Sequence, residues 1–140
     1  MSSLASLIVA HLQGNAAFKY VAGAREFGAS LVTPPIDKMP AVFVLPYSES
    51  YGDNSLLNGV RQTGPQQVAL VLEVAVRAAV GANVHDPFEA PAAALKAALH
   101  GWQPDPEDGE LLLVSGQLLE PRPTHLAYQY VFKRDHTERT

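Results

Sequence analysis

Five histidines, at positions 11, 85, 100, 125 and 136, are the side chains best suited to metal ligation or proton transfer. No two of them have the spacing that puts a pair of ligands on one helical turn, so the sequence assigns no metal site. His100, next to Gly101, suits the exposed carbonyls at a helix end, and His11 reads as a partly buried helix residue. Asp105, Glu107 and Asp108 could supply oxygens to a hard cation, but the twelve-residue calcium-loop pattern is missing and a solvated turn is the simpler reading. Cysteine is absent, which removes thiolate zinc sites, cysteine nucleophiles and any disulfide framework. Ser115 falls inside a strand pattern rather than at the sharp strand-to-helix turn of a serine hydrolase. The stretch 22–28 has neither the glycine spacing nor the lysine of a phosphate loop. Tyr128, Tyr130 and Phe132 could stack nucleic-acid bases, but such platforms interleave basic residues, and core packing fits better. The sequence therefore offers no catalytic, cofactor-binding or metal-binding residues, and no cofactor is expected.

The composition is consistent with a protein that works through its surface. A chain of 140 residues is long enough for one domain with a real core. Hydrophobic residues make up 47% and charged ones only 17%, which disfavours disorder and hints at surface covered by other subunits. A formal charge of −4 argues against sequence-independent binding to nucleic acid, which rests on neutralising phosphates. The first twelve residues lack the basic start of a signal peptide, and no run approaches the roughly 20 apolar residues of a spanning helix. A soluble intracellular protein is expected, with no membrane partner.

Several elements can be placed by periodicity. Ser2 or Ser3 can cap a short helix whose Leu4, Leu7, Ile8, His11 and Leu12 recur at three and four and which stops at Gly14 or Asn15. The stretch 22–39, broken by Gly23, Gly28, Pro34 and Pro35, reads as a long loop, with a brief strand at 18–21 before it. Residues 41–45 form a buried strand that leaves through Pro46 and Tyr47. A long polar loop follows at 48–65. In 66–80, Val68, Leu70, Leu72, Val74, Val76 and Ala78 alternate with Gln67, Ala69, Val71, Glu73, Ala75 and Arg77, the pattern of a long strand with one apolar face. Asp86, Pro87, Phe88 and Glu89 announce a second helix, whose regular part starts either there or at Pro91. Its buried face is Phe88, Ala92, Leu95, Leu99 and Trp102. Residues 110–119 and 124–133 form a hairpin, with Leu126, Tyr128, Tyr130 and Phe132 sharing one face. The expected architecture is α+β, an α/β sandwich with a mostly antiparallel mixed sheet of about four or five strands and two main helices packed on one face. Residues 1–134 form a single domain in this reading, and 135–140 a mobile charged tail.

The order helix, loop, strand, long polar loop, very long strand, helix ending in Leu99, His100, Gly101 and Trp102, then two strands, resembles that of tail terminator proteins of long-tailed bacteriophages, siphophages and Mu-like phages among them. The string at 95–104 and the ending Tyr128, Gln129, Tyr130, Val131, Phe132 carry the resemblance locally. It implies a virion structural protein rather than an enzyme. Such a subunit forms a ring with itself, usually hexameric, and binds the tail tube protein at the head-proximal end of the tail. There it stops polymerisation and offers a surface to the head-tail connector protein. Assembly would take place in the host cytoplasm, and DNA would pass through the channel without specific binding.

In that setting the loop at 48–65 is the candidate interface to a neighbouring subunit or the tube, through Tyr47, Tyr51, Asp53, Leu56, Leu57 and Arg61. Aromatic and aliphatic side chains on a polar loop are the usual anchors of protein interfaces. Alternatively these residues fold back onto their own domain. Arg61 and Arg77 could pair with Glu49 and Asp53 of another copy, setting register more than affinity. Two competing readings are a head completion or connector subunit of the same virion, and a small enzyme or ligand-binding module with His85, Asp86 and His125 gathered in a concave pocket.

Overall fold

The computed structural model describes residues 3–76 and 86–139. In chain order the elements are α1 (Leu4–Gln13), β1 (Tyr20–Ala22), α2 (Ala24–Ser30), a 3-10 turn (Ile36–Lys38), β2 (Ala41–Glu49), β3 (Arg61–Ala75), α3 (Glu89–Leu99), β4 (Leu112–Leu118) and β5 (His125–Arg139). The strands make one five-stranded mixed sheet in the order β1-β2-β3-β5-β4. β1 runs parallel to β2, and every other pairing is antiparallel. The α+β sandwich predicted from alternation is the one observed.

Alternation along β3 sorts the core into two layers. Val68, Leu70, Leu72 and Val74 join Val42, Val44, Tyr130 and Phe132 beneath α1 and α3, which contribute Leu4, Ile8, Leu12, Ala92, Leu95 and Leu99. α1 starts where Ser3 Oγ accepts the Ser6 N–H at 3.2 Å and stops at Gly14, as its sequence implies. α3 begins at Glu89 rather than at Pro91, with Asp86 Oδ1 accepting the Phe88 N–H at 2.9 Å. Pro91 fits there because it lies in the first turn, where a backbone N–H has no helical partner to lose.

Three expectations are corrected. The segment 22–39 is not all loop: it holds α2, which starts where the Glu26 carboxylate accepts the Gly23 N–H at 3.3 Å. α2 sets Phe27 against Phe43, with ring centres 5.4 Å apart, and covers the second sheet face around Ala22, Met39, Ala41, Val71 and Ala127. The two main helices, α1 and α3, share one face as expected, and the short α2 covers the other. The loop expected at 48–65 shrinks to 50–60, because β2 runs on through an irregularity between Pro46 and Ser48, and β3 starts at Arg61. Pro46 is tolerated because β1 ends opposite Phe43, leaving that side of β2 unpaired beyond it. Residues 135–139, expected as a mobile tail, continue β5 in register with 61–65. Arg77, His85 and the end of the strand expected at 66–80 lie outside the described residues.

Leu70 is fully buried in the central strand. Leu70→Ala should destabilise the protein by about 2–5 kcal/mol in chemical denaturation with an unchanged m-value. A loss below about 1 kcal/mol would mean that this layer is not tightly packed.

Candidate functional site

β3 and β5 pair along their whole length, from Ala75 opposite His125 to Arg61 opposite Arg139. Their neighbours stop sooner: β2 reaches β3 only as far as Gln66, and β4 reaches β5 only as far as Lys133. Residues 61–65 and 135–139 therefore project past the sheet as a two-stranded arm. A third ply backs it, because the N–H groups of Ser50, Gly52 and Ser55 donate to the carbonyls of Pro65, Thr63 and Arg61 at 3.0–3.1 Å. At the bend Asn54 donates to the Gly59 carbonyl at 3.0 Å and accepts the Arg61 N–H at 2.8 Å. Gly64 makes this close approach possible. A Cβ there would collide with the Ser50 carbonyl and stand 2.8 Å from the Tyr51 Cα.

A polar network fixes the base of the arm. Asp108, buried in the turn after α3, accepts the Thr137 N–H at 3.1 Å through Oδ1. Its Oδ2 lies 2.8 Å from His136 Nδ1 and 3.5 Å from the buried Arg134 guanidinium. Arg134 Nε donates to Gln66 at 2.9 Å, and His136 Nε2 lies 3.0 Å from Glu138. Tyr51 lays its ring edge toward His136 and donates its hydroxyl proton to Glu49 at 3.4 Å. Burial, with Glu49 and Glu138 nearby, pushes the Tyr51 hydroxyl up to about 12. Burial alone would raise the Asp108 pKa, but hydrogen bonds from His136 and the Thr137 N–H hold it below its ordinary value. Burial alone would likewise lower the His136 pKa, yet hydrogen bonds to Asp108 and Glu138 raise it.

The six residues singled out from sequence divide between two fates. Tyr51 folds back onto its own domain. Tyr47 is 57% exposed on β2, Asp53 and Arg61 are exposed, Leu56 is 43% exposed and Leu57 wholly so, at the end of the arm. Asp108, Arg134 and His136 were not expected as a cluster. One signal could have found it: the β alternation of β5 does not stop at Lys133 but carries on through Arg134 and His136.

The other described histidines have structural surroundings. His11 stacks on Trp102 with ring centres 3.9 Å apart and contacts the Ala98 carbonyl at 3.1 Å; it is more exposed than its sequence suggests. The exposed His100 caps α3 through its backbone N–H, which donates to the Lys96 carbonyl at 2.9 Å. His125 is buried on the second sheet face, 3.3 Å from the buried Glu73. Burial pushes the Glu73 carboxyl up to about 7 against the opposing charge of Arg122. His125 is driven the other way, by burial first and Arg122 second, so both groups are biased toward neutrality.

The polar clusters thus hold backbone and buried side chains, and among the described residues the most exposed large apolar side chain, Leu57, sits on a braced projection. This is the build of a structural subunit that acts through its surface. The family model for phage tail terminator proteins matches residues 3–140, and the chain belongs to that family. No curated protein matches it. Membership makes the chain a structural component of the virion tail, in contact with other tail or head proteins. Among the described residues no helix is long and apolar enough to cross a membrane.

Two pH effects follow. The Asp108 contribution is present above the ordinary aspartate pKa of 3.8 and lost as the pH falls through the lowered folded value. The His136 contribution is full below 6.5 and lost as the pH rises through the raised folded value. Hydrogen exchange of amides in 61–65 and 135–139, corrected for intrinsic rates, should be slowest between those limits, and His136→Gln should abolish the alkaline-side loss. For Glu73 the raised folded pKa means stability present below 4.5 and lost as the pH rises through about 7. The wild type should therefore lose stability relative to Glu73→Gln across that window in thermal melts, and parallel pH profiles would refute the assignment.

Proposed function

We propose that this chain is the subunit that terminates the tail tube. Copies form a closed ring, usually of six, on the last ring of the tube protein; the ring stops polymerisation and turns its other side to the head connector. The observation that carries this reading is the arm, a two-stranded projection backed by a third ply and held at its base by a buried polar network, whose end exposes Leu56, Leu57 and Arg61. Leu56 and Leu57 stand side by side and exposed at the end of this projection, and adjoining apolar side chains rimmed by polar residues mark interaction surfaces. Closure supplies the mechanism. A head-to-tail contact whose rotation closes gives a finite ring, and a ring that matches the tube on one face only ends the stack. Asp53, Leu56, Leu57 and Arg61 at the end of the arm and Tyr47 on β2 make the contacts, while Tyr51 holds the arm in place. The whole chain acts as one domain. Its net charge of −4 lets DNA slide through the channel without capture.

Electron microscopy of tail tubes mixed with the protein should show a distinct ring at one end and a bounded tube length. Leu56→Asp with Leu57→Asp should melt within a few degrees of the wild type, because both side chains are exposed, yet leave tubes unbounded. Wild-type protein that leaves polymerisation-competent tubes bare and growing would end the termination reading.

A further inference from the structure

The end of the arm carries two features that its own chain leaves unanswered. Leu57 is wholly exposed. Arg61 and Arg139 stand directly opposite one another in register, and neither has an ion pair among the described residues. Like charges on facing positions of an antiparallel pair repel, so an external carboxylate would relieve the end of the arm.

A surface of matching chemistry lies beside α1. Two adjoining hollows of about 350 and 460 Å³ share Ala5 and Pro46 and run along α1 between that helix and β2. Their walls are mainly apolar, with Leu4, Val9 and Val44 among them, and among the described residues the only charged one lining either is Glu49. Glu49 accepts hydrogen bonds from Gln66 and Tyr51 but has no cation at ion-pair distance among the described residues. A bare leucine and two arginines unpaired among the described residues, with Asp53 on the same loop, therefore answer an apolar groove that carries Glu49 on the same chain.

They cannot meet within one molecule. The paired residues 61–65 separate the tip from Gln66 at the groove, and five strand residues span about 17 Å. Folding the tip back would break the ladder that builds the arm. We infer that the arm tip of one copy seats in the α1–β2 groove of a second copy, Leu57 entering between Ala5 and Pro46 and Arg61 or Arg139 meeting Glu49. Donor and acceptor lie on different surfaces of the chain, so the contact is head-to-tail, the kind that builds rings. The inference rests on the ring proposed above and names the surface that receives the arm.

The test places the photo-cross-linker p-benzoylphenylalanine at position 57, illuminates the protein in the presence of tail tubes, and maps the products by mass spectrometry. Cross-links from position 57 to α1 or β2 of another copy are expected. Arg61→Glu with Arg139→Glu should cut that product about tenfold, and Glu49→Lys added to them should restore it, as complementary interfacial charges require. Products mapping to the tube protein, to DNA, to the arm tip of another copy or to nothing would overturn the inference, as would a yield indifferent to the charge reversals. Microscopy of the same samples judges the termination reading separately. Capped tubes with cross-links elsewhere would sink the groove and keep termination, and groove cross-links beside uncapped tubes would do the reverse.

Discussion

The antiparallel ladder between β3 and β5 is the constraint on which everything else in this molecule hangs. Its fifteen-residue strands form the centre of the sheet, so the side chains of β3 decide which helix covers which face. From Val68 to Val74 the ladder is held by burial: alternate side chains enter the layer under α1 and α3, and Ala69, Val71 and Glu73 meet the opposite face. Beyond Gln66 the flanking strands are gone and the same backbone pairing must survive with little hydrophobic help. There the third ply and the Asp108 network take over.

That network shows what a buried charge is for. Asp108 and Arg134 are both almost wholly buried, and taking them out of water costs more than a simple ion pair returns unless further hydrogen bonds complete the site. Asp108 gains those bonds from His136 and the Thr137 N–H, Arg134 donates one through Nε to Gln66 while its Nη1 has only Asp108 at ion-pair distance, and His136, Thr137 and Gln66 all lie on β3 or β5. The arrangement trades stability for geometry, fixing how the arm leaves the sheet. Glu73 and His125 solve the same problem differently, both biased toward the neutral form rather than held as charges.

Strong periodicity made half of this legible from sequence. The alternation in β3, the capped start of α1, the buried stripe of α3 and the aromatic face of β5 each carry their signal within a dozen residues. α2 was hidden because it spans seven residues, too few for a hydrophobic period, and has Gly28 inside it. The arm was hidden for another reason: Gly64 and Pro65 look like loop residues, and what makes them strand is a partner some seventy residues away. The six interface candidates were chosen by residue type, and type alone could not say that Tyr51 would turn inward while Leu57 faced out. The family resemblance rested on element order, which local periodicity does convey.

The length of the chain between the two ladder strands governs the order in which the molecule can be made. β2 lies close to β3 in sequence and can pair with it as soon as both have left the ribosome. β5 begins fifty residues after β3 ends, at His125 against Ala75. At ordinary translation rates the apolar centre of β3 waits roughly 3 to 10 s with one edge bare. For that interval the nascent chain presents an open, aggregation-prone strand edge, and its solubility depends on chaperones or on speed rather than on the finished fold.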